Sequence, residues 1–198
     1  MHPAGGPVAR LARALQEGEA VLAAPAAVAP FLDVHVDPVL TAAEAGVGDD
    51  LALEACRHLD GVRILTFTTG YAGPYAGRLL AGYGAEVIKI ESRKGGLDTF
   101  RHYGQHKDID AAPRFIECNL DVRSLSVNLK HPSGAQLIRE LAGKSDAILQ
   151  NFRPRVLDKL GLGDEELRKA NPKLVIVKLP GFGSEGPKSG YGTWGFNL

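Results

Sequence analysis

Two cysteines, Cys56 and Cys118, are all this chain contains in 198 residues. One possible pair is no disulfide framework, and the spacing fits no zinc motif, so a reducing cytoplasm is the expected compartment. The six histidines form no HxH cluster, only His102 and His106 stand four apart, and no metal site is expected. No apolar run reaches the length of a membrane span. The stretch "AVLAAPAAVAP" (20–30) is apolar, but Pro25 and Pro30 break it. The N-terminus lacks the basic-then-apolar order of a secretory signal. Net charge is missing as well, since 23 cations balance 23 acids. Neither a membrane nor a nucleic acid is an expected partner.

The balance hides an asymmetry. Residues 1–60 hold three cations and nine acids, a net of −6, so the remainder holds 20 cations and 14 acids, a net of +6. The basic part can face an anionic ligand, or it can face the acidic part. Residues 1–60 are rich in alanine, with helical spacing near 8–17 and over 41–59. They are read as a helical appendage or linker with no chemistry of its own. Residues 61–198 form the second unit.

From Gly61 onward the pattern alternates. "VRILTF" (62–67) reads as a strand, "PYAGRLLAGYG" (74–84) as a helix with Pro74 in its first turn and Gly84 as its stop, and "AEVIKIE" (85–91) as a second strand. Residues 92–122 show no period and read as a long loop, a place where function often resides. A strand (123–130), a helix (131–144), a strand (146–152), two short helices with Asp164 capping the second, and a strand (174–183) follow. Strand and helix in alternation predict an α/β fold: a Rossmann-like, mostly parallel sheet with helices on both faces.

Ligands of such sheets collect beyond the carboxyl ends of the strands. That rule selects "TTGYAGP" (68–74), "ESRKGG" (91–96), "NFRP" (151–154) and "GFGSEGPKSGYG" (181–192). The first is either a glycine turn whose helix end faces an anion, or a plain tight turn. In the second, Glu91 at a strand tip can meet a ribose, with Arg93 and Lys94 near its phosphate. Alternatively, Lys89 and Glu91 alternate outward into solvent. In the third, a ring and a guanidinium can stack on a base or grip a phosphate, or Phe152 is core and Arg153 is surface. The fourth puts a cation and a ring between glycines, as would an exposed turn. Together these segments suggest a long, polyanionic, adenine-bearing ligand.

The runs "GVRILTFTTGYAGPYAGRLLAGYGAEVIKIE", "RSLSVNLKHPSGAQLIREL" and "SDAILQNFRPRVLDKLGLGDEELRKANPKLVIVKLPGFGSEGP" resemble the N-terminal part of family III CoA-transferases. This superfamily includes formyl-CoA and carnitine CoA-transferases and α-methylacyl-CoA racemase. The resemblance covers about residues 60–192 and implies a Rossmann-like large domain, a smaller second domain and an interlocked dimer. It also implies coenzyme A, bound as acyl-CoA. By position it puts Gly70, Tyr71 and Ala72 along the CoA channel. Arg93 takes a phosphate or adenine role, because Ser92 stands where the family often has Arg. Val127 and Lys130 would flank the nucleotide. Asn151, Phe152 and Arg153 match a CoA-contacting stretch, Lys159 stands where the family often has Arg, and Lys188 and Tyr191 fall in the last contacting loop.

The family's nucleophilic aspartate lies downstream of the "GFG…GP" loop, so it is expected on other sequence or on a partner chain. None of Asp98, Asp108, Asp110 or Asp121 matches it. Tyr191 and Gly192 occupy the places of the racemase His–Asp pair, so racemase chemistry is not expected. The resemblance therefore implies an enzyme that moves CoA from an acyl-CoA donor to a carboxylic acid, with this chain supplying the CoA-binding part. It would work as a homodimer or with a chain carrying the aspartate. The alternative is a non-catalytic CoA-binding subunit or degenerate homologue. A third reading, an NAD(P)-binding domain, conflicts with the presence of "YAGP" in the first strand-to-helix turn.

Overall fold

The computed structural model describes Val36–Pro38 and residues 57–104 and 108–194. Short runs buried on both faces form the central strands, and proline opens two of the helices. The strands are β1 (Val36–Pro38), β2 (Arg63–Phe67), β3 (Glu86–Glu91), β4 (Arg123–Ser126), β5 (Ala147–Gln150) and β6 (Val175–Lys178). The helices are α1 (Ala72–Gly82), α2 (Pro113–Asn119), α3 (Pro132–Ala142), α4 (Val156–Lys159) and α5 (Asp164–Ala170).

The sheet order is β1-β4-β3-β2-β5-β6. Strands β2 to β6 run parallel, and β1 lies antiparallel on the outside of β4. From β2 the chain winds one way through β3 and β4, then crosses back to β5 and β6. That reversal is the switch point of a doubly wound Rossmann-like sheet. The expected α/β fold is therefore what the chain adopts.

Strand alternation decides what each face buries. Leu65, Phe67, Ile88, Ile90, Leu125, Val127 and Ile148 face α3 and α5, and they pack with Leu137, Ile138, Leu141, Leu162 and Leu167. On the opposite face Ile64, Val87 and Leu149 pack with Ala81 of α1. Helix α2 lies beside α1. Its Phe115 packs with Ala112 and Phe100.

The structure corrects several expectations. Residues 92–122 are not structureless: they contain single-turn 3-10 helices at Arg93–Gly95, Thr99–His102 and Ile109–Ala111, followed by α2. Asp164 is not a cap. Gly163 holds that position, and Asp164 accepts a hydrogen bond from Lys178 Nζ at 2.7 Å. Val36–Pro38, between the two helices expected in residues 1–60, forms a short strand. The helix expected near 8–17 lies outside the described residues. So does most of the one over 41–59, whose final residues His58 and Leu59 form a turn.

Candidate functional site

Strand β2 ends in Phe67 and runs into Thr68, Thr69 and Gly70. Gly70 has φ of 76°, a left-handed conformation that glycine adopts without steric cost. Helix α1 then opens at Ala72 with no side chain capping its first turn. Across the switch point, Asn151 follows β5. Its Nδ2 donates to the Thr69 carbonyl at 2.8 Å, and its Oδ1 accepts from the Thr69 amide at 3.0 Å. One carboxamide thus ties the two strand tips where the sheet reverses. A Cβ at Gly73 would sit 2.6 Å from Thr68 Cγ2 and 2.9 Å from Asn151 Cγ, so only glycine fits beside that tie.

Strand β3 carries the electrostatics. In "EVIKIE" the isoleucines face one core, so Lys89 and Glu91 point to the face that α1 and α2 cover. Both are buried, at 0% and 5% exposed. This overturns the reading of a solvated strand end. Lys89 Nζ pairs with Asp98 Oδ2 at 2.7 Å and donates to the Thr68 carbonyl at 2.8 Å. Glu91 accepts from Arg101 Nη2 at 2.7 Å, from Ser124 Oγ at 2.6 Å and from the Asp98 amide at 2.9 Å. The Arg101 guanidinium lies 3.7 Å from the Phe115 ring centre and also pairs with Asp110.

Burial pushes the Glu91 carboxyl up. The hydrogen bonds and charge of Arg101, then Lys89 and Ser124, outweigh burial and hold it below the usual carboxylate range. Burial likewise lowers the Arg101 pKa, but Glu91 and the neighbouring carboxylates more than restore it, so it stays charged at any working pH. Two cations and two carboxylates cancel inside the fold. The Glu91 oxygens are engaged internally, which removes the sequence-based argument for a ribose contact.

Above this network lies a cleft of roughly 300 Å³. It is lined by Thr68 and Thr69 from the β2 tip, Glu91, Ser92 and Gly95 from the β3 tip, Leu129 and Lys130 beyond β4, and Phe152 beyond β5. Leu97 lines it too, in a left-handed conformation with φ of 55° that bulky residues rarely adopt. Thr68 Oγ1 is buried here with no hydrogen-bond partner among the described residues.

The structure brings together only some of the sequence-predicted site residues. Lys130 and Phe152 line the cleft, while Gly70, Asn151 and Arg93 adjoin its lining in the chain. Tyr71 is 47% exposed at the head of α1, stacked on Tyr75 and edge-on to Phe100. Ala72, Arg153 and Lys159 are exposed on the segments following β2 and β5. Val127 is fully buried in the core, so its side chain reaches no ligand. Lys188 and Tyr191 pack around Phe182 beyond β6 and do not line the cleft.

Sequence reasoning missed Asp98, Thr68 and Arg101. The available signal was "IKIE" itself: charges at alternate positions of an otherwise apolar strand must find buried partners, and the next loop supplies one of each sign. Among the described residues no three His, Cys, Asp or Glu side chains are placed to hold a metal ion. No described helix is long and apolar enough to cross a membrane.

Cys118, in α2, is fully buried, and burial pushes its thiol pKa up from 9.0 to about 11. The folded state therefore holds this proton more tightly than the unfolded state. The resulting stability is complete below pH 9.0 and is lost as pH rises toward about 11. At neutral pH, labelling of Cys118 by a thiol reagent should proceed only as fast as unfolding exposes it. Rapid labelling of Cys118 in the native protein, located by mass spectrometry, would contradict this placement.

Comparison with known proteins bears on the same region. Residues 59–198 match CoA-transferase family III. The chain is 39% identical over 142 residues to succinyl-CoA–D-citramalate CoA-transferase of Chloroflexus aurantiacus, covering 70% of this chain and 35% of that enzyme. It is 41% identical over 127 residues to formyl-CoA:oxalate CoA-transferase of Afipia carboxidovorans, covering 63% and 29%. Among solved structures, a CAIB/BAIF family protein from Brucella suis superposes with a TM-score of 0.64 at 32% identity, over 70% of this chain and 37% of that one. The chain thus spans about a third of the length of the curated relatives it matches. With its parallel sheet, its switch-point cleft and this match over residues 59–198, the chain belongs to CoA-transferase family III.

Proposed function

We propose that this chain supplies the CoA-binding part of an enzyme that moves CoA from an acyl-CoA donor to a carboxylic acid. The observation that carries the reading is the cleft, which joins the tips of β2, β3, β4 and β5 at the switch point of a family III chain. Its apolar lining from Ile90, Leu97, Leu129 and Phe152 suits the pantetheine arm. The buried ion network is neutral in sum. Phosphates are therefore met from outside it, by Lys130 at the rim and by Arg93 and Arg153 on the adjoining segments. The remaining predicted contacts fit the same ligand less closely: Gly70, Tyr71 and Ala72 at the head of α1, and Lys159, Lys188 and Tyr191 farther out.

The catalytic aspartate belongs to sequence beyond these residues or to a partner chain. The enzyme works in the cytoplasm as a homodimer or as a complex of unlike chains. Support for unlike chains comes from a relative, 37% identical over 129 residues, named as the beta subunit of succinyl-CoA–L-malate CoA-transferase in Chloroflexus aurantiacus. On the alternative reading the chain binds CoA without chemistry of its own. Mixing it with an acyl-CoA and a free acid separates the two, because exchange by this polypeptide alone would refute the need for an aspartate from elsewhere.

Calorimetric titration tests the ligand directly. CoA should bind more tightly than NADP, and Lys130→Ala and Arg93→Ala should each weaken CoA binding by about threefold to tenfold. Each should also flatten the salt dependence, since each removes one phosphate contact. Tighter NADP binding, or unchanged CoA affinity in both variants, defeats the assignment.

A further inference from the structure

The buried pair Lys89–Asp98 occupies a place that neither a core nor a surface explains. Both side chains are 0% exposed, and a buried ion pair seldom adds net stability compared with an apolar pair of similar size. What the pair touches is more informative. Asp98 Oδ1 accepts from the Gly70 amide at 3.2 Å and from the Phe100 amide at 2.9 Å. Its Oδ2 faces Lys89 Nζ, which also holds the Thr68 carbonyl. The Asp98 amide in turn donates to Glu91 Oε1. Asp98 and Lys89 together thus join the β3 tip, the segment after it and both ends of the 68–70 turn. Asp98, Thr68, Thr69 and Glu91 all line the cleft.

We infer that Asp98 is a positioning residue for CoA binding. It acts through Gly70, fixing the left-handed turn at the end of β2 so that Thr68, Thr69 and the head of α1 present one preformed wall to the ligand. Lys89 keeps the carboxylate aimed. Without the anchor the turn samples other conformations, and the ligand has to bear the cost of ordering it. The inference rests on the CoA reading above. It names a residue that does not contact the ligand's phosphates and belongs to no basic patch.

Two paired variants isolate the anchor. Lys89→Met with Asp98→Asn removes both charges but leaves an amide oxygen to accept the Gly70 N–H. Lys89→Met with Asp98→Ala removes that acceptor as well. Both lose the Lys89 contact to Thr68, so their comparison reads the Asp98 oxygen alone. Calorimetry should show CoA bound at least about tenfold more weakly by the alanine pair than by the asparagine pair. Hydrogen exchange followed by NMR should show the Gly70 amide losing protection only in the alanine pair. Equal CoA affinity in the two pairs overturns the inference. So does a Gly70 amide that exchanges in the unmodified protein as fast as an open loop, a result readable even if neither variant folds. If the unmodified protein binds no CoA, the functional reading itself fails, and the two failures are distinct.

Discussion

Arg101→Ala is expected to cost the domain about 3–5 kcal/mol, the usual penalty for leaving a buried charge without its partner. Arg101 is 5% exposed, as is Glu91, so solvent screens the pair little. Removing the guanidinium strips Glu91 of its strongest partner and leaves Ser124 Oγ and the Asp98 amide to hold a carboxylate in an apolar setting. It also takes a cation from the face of Phe115. Against a total stability of about 5–15 kcal/mol for a domain, this is a large share. Urea unfolding at neutral pH measures it.

The pH dependence fixes the mechanism. In the unmodified protein the Glu91 pKa lies below its ordinary value of 4.5. Its stabilising contribution is complete above pH 4.5 and is lost as pH falls through the lower, folded value. In the variant burial dominates and raises the carboxyl. The difference between the two proteins should therefore be greatest near neutrality and shrink on acidification. Double replacement by Arg101→Met and Glu91→Gln should cost less than Arg101→Ala alone. A pH-independent difference would mean that the loss is packing rather than charge.

Gly134→Ala is expected to destabilise by about 2–3 kcal/mol, as overpacking does. A Cβ at this position, in the first turn of α3, would overlap the backbone carbonyl oxygen of Asn128, and backbone cannot turn aside as a side chain can. The turn that must yield is the one that sets Lys130 at the cleft rim, so CoA affinity should fall with stability. Gly77→Ala is the matched control in α1. There a Cβ would meet Thr66 Cγ2 and Val87 Cγ1 at 3.6 Å, ordinary contact. That replacement should stabilise by about 0.5–1 kcal/mol through helix propensity. Midpoints that move the same way in both variants would rule out the steric explanation.

The sequence made the α/β class legible because each strand is a short apolar run and each long helix has a proline near its start. β2, α1 and β3 emerge within two residues of their expected bounds. The segment after β3 was not legible. Its shape is set by Asp98 and Arg101 reaching back to Lys89 and Glu91, long-range contacts that leave no local period. The buried side chain of Val127 shows the converse limit: a residue assigned to a ligand by its place in a motif can serve that motif with its backbone, as its amide does in donating to the Glu91 carbonyl. Phe152, selected by its place at a strand tip, and Lys130, assigned through the resemblance, both line the cleft. Lys188 and Tyr191 do not line it, because β6 is an edge strand and its following loop closes on Phe182.

The Asn151 carboxamide gives this edge of the sheet its shape. In an open doubly wound sheet, the parting between the two half-sheets is a slot into which a guest can sink. Here a pair of hydrogen bonds bolts that parting shut. The tips of β2 and β5 are thus latched to each other, and prising them apart would break both bonds.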